Sequence, residues 1–210
     1  MTEYLSPTAY GTAEVTEKRS RFIGHIMPVT TEAEARDFIA RISAQHRDAR
    51  HNCWCYLLRG NDLSRFSDDG EPSGTAGAPM LETLRREGVC NVVCVVTRYF
   101  GGVLLGPGGL VRAYTAAAKA ALAQAFVVRC VARKVVSVAV PYALIDRVKH
   151  EISSCGGDLK SAEYLDVATL FALFDDEGAV RFATRVHELT AGSVSAEVVG
   201  EEIIALGDGK

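Results

Sequence analysis

The sequence has no long hydrophobic run, few cysteines and little net charge. No apolar segment approaches the ~20 residues that a transmembrane helix requires, and the polar stretch 1–20 lacks the apolar core of a secretory signal peptide. Six cysteines in 210 residues are too few for a disulfide-stabilised scaffold. We therefore expect a cytoplasmic protein that keeps its cysteines as thiols and has no membrane partner.

Charge is distributed unevenly along the chain. Residues 1–134 contain 17 Lys and Arg against 13 Asp and Glu, a sum of +4, whereas residues 135–210 contain 6 against 13, a sum of −7. This change predicts a boundary between a mildly basic domain and an acidic one. The basic half is compatible with an anionic partner, but its charge is too small to indicate nucleic acid by itself.

Two glycine-rich segments, 66–77 and 98–114, contain most of the functional information. Together they hold eight glycines, whereas an ordinary turn needs only one or two. Backbone of this kind can approach another molecule closely and present bare N–H groups to it. The segments therefore either bind a ligand or form two turn-rich loops that close a domain.

The second glycine segment joins a predicted strand to a predicted helix. The strand at 90–97 is β-branched and apolar on both faces, which is typical of a central strand covered on both sides. The helix begins near Gly109, with Arg112 on its outward face. Its N-terminus leaves N–H groups unpaired, and Arg98 and Arg112 bracket the loop, so phosphate is the natural ligand.

The same segment also permits a purely structural interpretation, in which the glycines only make room for helix packing. The P-loop pattern is absent, because Pro107 follows Gly106. The dinucleotide-binding fingerprint is absent as well, because Val111 occupies its third glycine position. Neither nucleotide-binding motif therefore supports the anion hypothesis.

The first glycine segment contains the acidic run 68–71 (Asp-Asp-Gly-Glu). Its carboxylates either hold a divalent metal ion or belong to an Asp-Gly turn that leads into a helix capped by Ser73 and Thr75. The alternating acids of an EF-hand are missing. We favour the turn.

His51, Cys53 and Cys55 lie on one face of a strand predicted at 51–58. Successive residues on a strand face are ~7 Å apart, which is awkward for one tetrahedral zinc ion, and no Cys-x-x-Cys pair occurs. We therefore assign no metal, no cofactor and no catalytic residue.

The element order predicts two different domains. In the N-terminal part, strands at 11–17 and 21–29 are joined by the basic turn 18–20, and a helix capped by Thr30 or Thr31 follows. The C-terminal part reads strand, helix, strand, strand, helix, strand. That order is the βαββαβ arrangement of ferredoxin-like domains.

The glycine segments resemble the signatures of the IMPACT family, in its bacterial YigZ-like branch. Blocks 18–22 and 48–53 match as well, so the likeness extends over essentially the full length. It implies an α/β (α+β) two-domain fold. Residues 1–134 would resemble domain 2 of ribosomal protein S5, and residues 135–210 the ferredoxin-like domain V of elongation factor G.

The resemblance also implies a role in translation, because both of those relatives act on ribosomal RNA and the eukaryotic members regulate translation. We expect a non-enzymatic protein that binds RNA or a ribosome-associated partner. The eukaryotic partner is not carried over, because the accessory domain differs. The expected anion- or nucleic-acid-binding residues are Lys18, Arg21, His51, Arg98, Tyr99, Gly101, Gly102, Gly106, Gly108, Gly109 and Arg112, and the motif loop consists of Ser67, Asp68, Asp69, Gly70, Glu71 and Thr75.

Three aromatic residues, Tyr99, Phe100 and Tyr114, are candidates for stacking on RNA bases. The competing hypothesis is a phosphate- or nucleotide-binding enzyme. In that case the loop 101–109 holds phosphate and an acid of run 68–71 holds magnesium. This hypothesis rests on fold analogy with sugar and mevalonate kinases.

Overall fold

The computed structural model describes residues 3–59 and 63–206, which form two compact units. The division falls between Arg129 and Cys130, inside a long strand that spans Val127–Val140. The boundary expected from composition, between residues 134 and 135, lies in the same strand. Each unit has its own apolar core, and the strands form two five-stranded sheets.

The first unit is built on an antiparallel sheet. Its elements are β1 (Tyr4–Pro7), β2 (Gly11–Glu17), β3 (Ser20–Pro28), α1 (Glu32–Gln45), β4 (His51–Leu58), β5 (Leu63–Ser67), α2 (Gly77–Arg86), β6 (Val92–Tyr99) and α3 (Gly106–Ala123). The strand order is β2-β3-β6-β4-β5, and each neighbouring pair is antiparallel. The short strands β1 and β5 were not predicted from the sequence.

Strand β6 lies in the middle of this sheet and is covered on both faces, as its composition predicts. Val92, Cys94 and Val96 pack in the core formed with α2 and α3. Val93 and Val95 face the opposite way and pack against α1. The glycine segment that follows β6 is therefore anchored to a rigid element.

Helix α1 begins where the sequence predicts. The Thr31 hydroxyl accepts a hydrogen bond from the Glu34 backbone N–H at 3.2 Å, and the Glu34 carboxylate accepts one from the Thr31 N–H at 3.3 Å. This reciprocal capping box satisfies donors that the helix start leaves unpaired. Thr31, rather than Thr30, is thus the cap.

Helix α3 packs so closely on β2 and β3 that glycines are required beneath it. A Cβ added at Gly24 would lie 2.4 Å from the Ala117 carbonyl oxygen. Leu110, Tyr114, Ala117 and Ala121 lie on its buried face, and Arg112 faces outward, as the sequence predicts. This packing fixes the position of the helix start.

The second unit has the predicted ferredoxin-like order. Its elements are β7 (Val127–Val140), α4 (Ile145–Ser154), β8 (Asp158–Tyr164), β9 (Ala168–Phe174), α5 (Asp176–Leu189) and β10 (Ala196–Leu206). The sheet that contains β7 has the strand order β1-β7-β9-β8, and β10 also pairs with β7. Val138, Leu170, Phe174 and Phe182 are among its buried core residues. Across both units, none of the described helices is long and apolar enough to span a bilayer.

The close packing beneath α3 gives a first testable prediction. Gly24→Ala places a methyl group within 2.4 Å of backbone, so we expect overpacking to lower the free energy of unfolding by about 1–3 kcal/mol. Urea denaturation of the full chain measures the change.

Gly108→Ala is the matched control for Gly24→Ala. The nearest atom to its added Cβ is the Arg112 Nη1 at 3.7 Å, an ordinary contact. This variant should unfold at the same urea concentration as the wild type or a higher one, since alanine favours helix. Equal stabilities of the two variants would contradict the packing argument.

Candidate nucleic-acid interface

The carboxylates of the acidic run 68–71 accept hydrogen bonds from other groups of the protein. The Asp68 carboxylate accepts hydrogen bonds from the backbone N–H groups of Gly74 (2.8 Å), Ala76 (3.0 Å) and Gly77 (2.8 Å). It therefore caps the start of α2 from outside the helix. The expectation that Ser73 and Thr75 act as caps is wrong. The Thr75 hydroxyl instead donates to the Pro72 carbonyl, at 2.6 Å.

Asp69 closes the turn, in agreement with the turn interpretation. It adopts a positive φ of 42°, and its carboxylate accepts the Asn52 backbone N–H at 2.6 Å. Its carbonyl oxygen accepts from the His51 Nδ1, at 2.7 Å. His51, expected at the binding surface, is half-buried and engaged in this turn. Ser67 is engaged too, since its hydroxyl accepts the Asp69 N–H.

Glu71 and Arg98 form a buried ion pair. The Arg98 Nη1 donates to Glu71 Oε1 at 2.6 Å, and the Tyr114 hydroxyl donates to the same oxygen at 2.8 Å. Arg98 is 6 % exposed and its guanidinium lies 5.5 Å from the ring centroids of both Phe22 and Phe100. The pair ties the acidic run to β6 and α3.

This pair corrects two expectations. Arg98 is not a free cation beside the glycine loop, because its charge is neutralised by a carboxylate 27 positions earlier in the chain. Tyr114 does not offer a ring to a base, because it is fully buried. Burial, with the neighbouring Cys53 and Glu71, raises the pKa of Tyr114, so the hydroxyl keeps its proton and donates.

The thiol of Cys53 lies within the same hydrogen-bond network. Cys53 is buried and donates to the Asp68 carbonyl oxygen at 3.0 Å. Burial raises its pKa to about 12, so the thiolate that would attack an electrophile does not form near neutral pH. Cys55 lies directly opposite Cys94 in the sheet, and both are buried. The His51, Cys53 and Cys55 face is thus structural.

The second glycine segment packs on the β2–β3 turn. A Cβ at Gly101 would lie 2.1 Å from the Arg19 carbonyl, so only glycine fits there. The Gly101 N–H donates to the Ser20 hydroxyl at 3.1 Å. Loop and turn form one surface, which we call the turn–loop surface and define as residues 18–20 and 100–108 together with Arg112.

The cations of the turn–loop surface face solvent. Lys18, Arg19 and Arg112 are exposed, and within the described residues none of them makes an ion pair. The Arg112 guanidinium lies beside Gly108 in the first turn of α3, where no side chain caps the helix. Arg21 is also exposed, but it pairs with Glu14 at 2.8 Å.

Apolar side chains complete the turn–loop surface. Leu104 is 82 % exposed, Phe100 45 % and Val103 39 %. The loop turns at Gly102 and Gly106, which have positive φ angles of 83° and 69°. Both are exposed along with Gly108, whereas Gly109 is buried within α3.

Arg19 and Leu104 are not among the binding residues expected from the sequence. Arg19 could have been found because it lies beside Lys18 in the predicted basic turn 18–20, and both side chains are exposed in the structure. The exposure of Leu104 could not be predicted from the sequence, because an apolar residue in a loop is normally expected to pack against the protein.

A polar cluster on the α1 side of the sheet was also missed. The His25 Nδ1 lies 2.7 Å from the Tyr10 hydroxyl, and the His46 Nδ1 lies 2.9 Å from the Tyr99 hydroxyl, which donates to Asp48 at 3.0 Å. Tyr99 thus points into this cluster and is half-buried. Burial, together with the neighbouring His46, lowers the pKa of His25 to about 4.

Comparison with known proteins agrees with this division into two units. The Impact N-terminal domain matches residues 18–122, and a domain of unknown function, DUF1949, matches residues 138–193. The IMPACT family member YvyE of Bacillus subtilis is 36 % identical over 190 residues, covering 90 % of this chain and 88 % of that protein. The chain belongs to the IMPACT family.

Two further relatives bear on this membership. The IMPACT family member YigZ of Escherichia coli is 32 % identical, covering 96 % of this chain and all of that protein. A crystal structure described as a hypothetical protein matches with a TM-score of 0.65 and 31 % identity, over 95 % of this chain and 98 % of that one. The likeness to the IMPACT family therefore includes both units.

Protein IMPACT of Rattus norvegicus is 35 % identical over 109 residues, which cover half of this chain and 34 % of that protein. Most of the rat protein thus lies outside the match.

The sequence-based identification of the IMPACT family, in its YigZ-like branch, is confirmed.

The buried ion pair gives a second prediction. Glu71→Gln leaves the Arg98 guanidinium buried without a counter-charge, so we expect a loss of about 3–5 kcal/mol in the free energy of unfolding. Urea denaturation gives the value.

Glu82→Gln is the control for the Glu71 substitution, because it also removes one carboxylate from a pair with arginine. The Glu82–Arg86 pair is exposed, and we expect its loss to cost at most ~1 kcal/mol. If both variants lose the same small amount of free energy of unfolding, the ion pair with Glu71 does not stabilise buried Arg98.

Proposed function

We propose that this IMPACT-family chain binds single-stranded RNA through the turn–loop surface and acts in the regulation of translation. Three exposed cations, Lys18, Arg19 and Arg112, provide the positive charge for phosphate groups. The exposed ring of Phe100 offers a platform on which a base can stack. The uncapped start of α3 adds N–H donors beside Arg112.

The observation that supports this proposal best is the conformation of the hairpin turn. Lys18 and Arg19 have φ angles of 43° and 70°, a left-handed conformation that costs an ordinary residue about 1–2 kcal/mol. Asn-Gly is the favoured pair for such a two-residue turn. Two long cations in strained positions, held against the glycine loop, indicate a functional reason for their presence.

The competing enzyme hypothesis needs a carboxylate of run 68–71 to hold magnesium, but these carboxylates are engaged by other groups of the protein. Asp68 is occupied by three backbone N–H groups, Asp69 by the Asn52 N–H, and Glu71 by Arg98 and Tyr114. Among the residues the structure describes, no cluster of three or more His, Cys, Asp or Glu side chains is placed to hold a metal ion. RNA binding needs none of these groups and is the function we put forward.

The strained turn leads to a prediction in which stability and binding change in opposite directions. The double variant K18N/R19G should unfold at a higher urea concentration. We expect its free energy of unfolding to rise by about 1–2 kcal/mol, because Asn and Gly tolerate positive φ. The same variant should bind RNA more weakly, since it loses two cations. Urea denaturation and fluorescence anisotropy with a labelled oligouridylate measure the two effects.

The salt dependence of binding identifies the lost contacts. For two phosphate contacts, the slope of log affinity against log salt should become shallower by about 1.4. The matched control is R36Q/R41Q, which removes the same charge from α1, on the opposite face of the sheet. If both double variants bind RNA equally weakly, the net charge of the protein alone attracts RNA.

A protein partner is the other possibility that this experiment resolves. Wild-type protein that is folded yet binds no RNA at low salt contradicts the proposal. Weaker cosedimentation of K18N/R19G with ribosomes would then point to a ribosomal protein as the partner of the turn–loop surface.

A further inference from the structure

His25 and His46 lie close together although 20 residues separate them in the chain. His25 is on β3 and His46 is the C-cap residue of α1. Their ring centroids are 5.3 Å apart, with an interplanar angle of 44°. Neither residue belongs to the turn–loop surface, so the pair is independent of the proposed RNA binding.

The hydrogen bonds of His46 determine which of its nitrogens is free. The Tyr99 hydroxyl has one proton and donates it to Asp48, at 3.0 Å. It must therefore accept from the His46 Nδ1, which lies 2.9 Å away and carries the ring proton. In the neutral ring, the lone pair is then on Nε2.

His25 has a buried nitrogen without a partner. Its Nδ1 is engaged by the Tyr10 hydroxyl, at 2.7 Å. The residue is only 5 % exposed, and its Nε2 makes no hydrogen bond. A buried polar atom left unpaired costs stability, so it calls for an explanation such as a bound ion.

The arrangement fits two imidazoles that share one metal ion. Metal–nitrogen distances of about 2.0–2.1 Å place two coordinating rings with their centroids about 5 Å apart. Each Nδ1 is tied to a tyrosine, in the way that outer hydrogen bonds orient metal-binding histidines. We propose that His25 and His46 bind a divalent late transition-metal ion through their Nε2 atoms.

The remaining coordination positions are open to water or a small ligand. Within the described part of the chain, no third His, Cys, Asp or Glu joins the two histidines as a ligand group. Imidazole ligands select zinc, nickel and copper, whereas magnesium prefers oxygen. The site therefore discriminates between ions by ligand type.

The test is a titration of the full chain, freed of metal by a chelator, with Ni²⁺ and separately with Mg²⁺. We expect saturable binding of one Ni²⁺, seen by calorimetry and as a higher melting temperature, and no effect of Mg²⁺. His46→Gln should weaken Ni²⁺ binding at least tenfold. Tyr99→Phe, which removes an orienting hydrogen bond, should weaken it about 10-fold or more. His150→Gln, an exposed histidine of the second unit, should leave it unchanged.

Electron paramagnetic resonance with Cu²⁺ counts the nitrogen ligands directly. The wild type should show superhyperfine splitting from two nitrogens, and His46→Gln from one. His46 is half-buried at a helix end, so this variant serves even if His25→Gln fails to fold. Absence of saturable Ni²⁺ binding, or undiminished binding in His46→Gln, overturns the proposal.

Discussion

The contact between Gly101 and the β2–β3 turn is the constraint on which the candidate site depends. The loop backbone comes so close to the Arg19 carbonyl that no side chain fits at Gly101. This approach joins two segments about 80 positions apart into one surface. Without it, the turn cations and the exposed apolar residues of the loop would belong to separate features.

The buried pair of Glu71 and Arg98 stabilises the elements on either side of the loop, because Arg98 belongs to β6 and Glu71 also binds Tyr114 of α3. Arg98 lies just before the loop in the chain and is held by Glu71, which the Tyr114 hydroxyl of α3 also contacts. The loop is thus held at both ends, by β6 before it and by α3 after it. The charges of Glu71 and Arg98 thus pair with each other near the core, whereas Lys18, Arg19 and Arg112 are exposed.

Much of the fold could be predicted because its signals are local. A short window of sequence is enough to predict the β-branched strand β6, the threonine cap of α1 and the outward position of Arg112 on α3. The order of the second unit was likewise readable from alternating strands and helices. These patterns depend on side-chain periodicity, which does not require knowledge of distant partners.

The site was harder to predict because its interactions join distant positions. Arg98 was expected to be a free cation, because its counter-ion, Glu71, lies 27 positions away in the chain. Asp68 caps a helix from across a glycine turn, so its role did not appear in the residues nearest α2. His25 and His46 meet only because α1 crosses the sheet, and no spacing rule relates them.

The interface itself is tested most directly by nuclear magnetic resonance of the full chain with a short oligouridylate at low salt. We predict that the chemical-shift changes of backbone amides on adding RNA concentrate in residues 18–20 and 100–108 and near Arg112. Shifts centred on α1 or on the second unit, or no shifts at all, would contradict it.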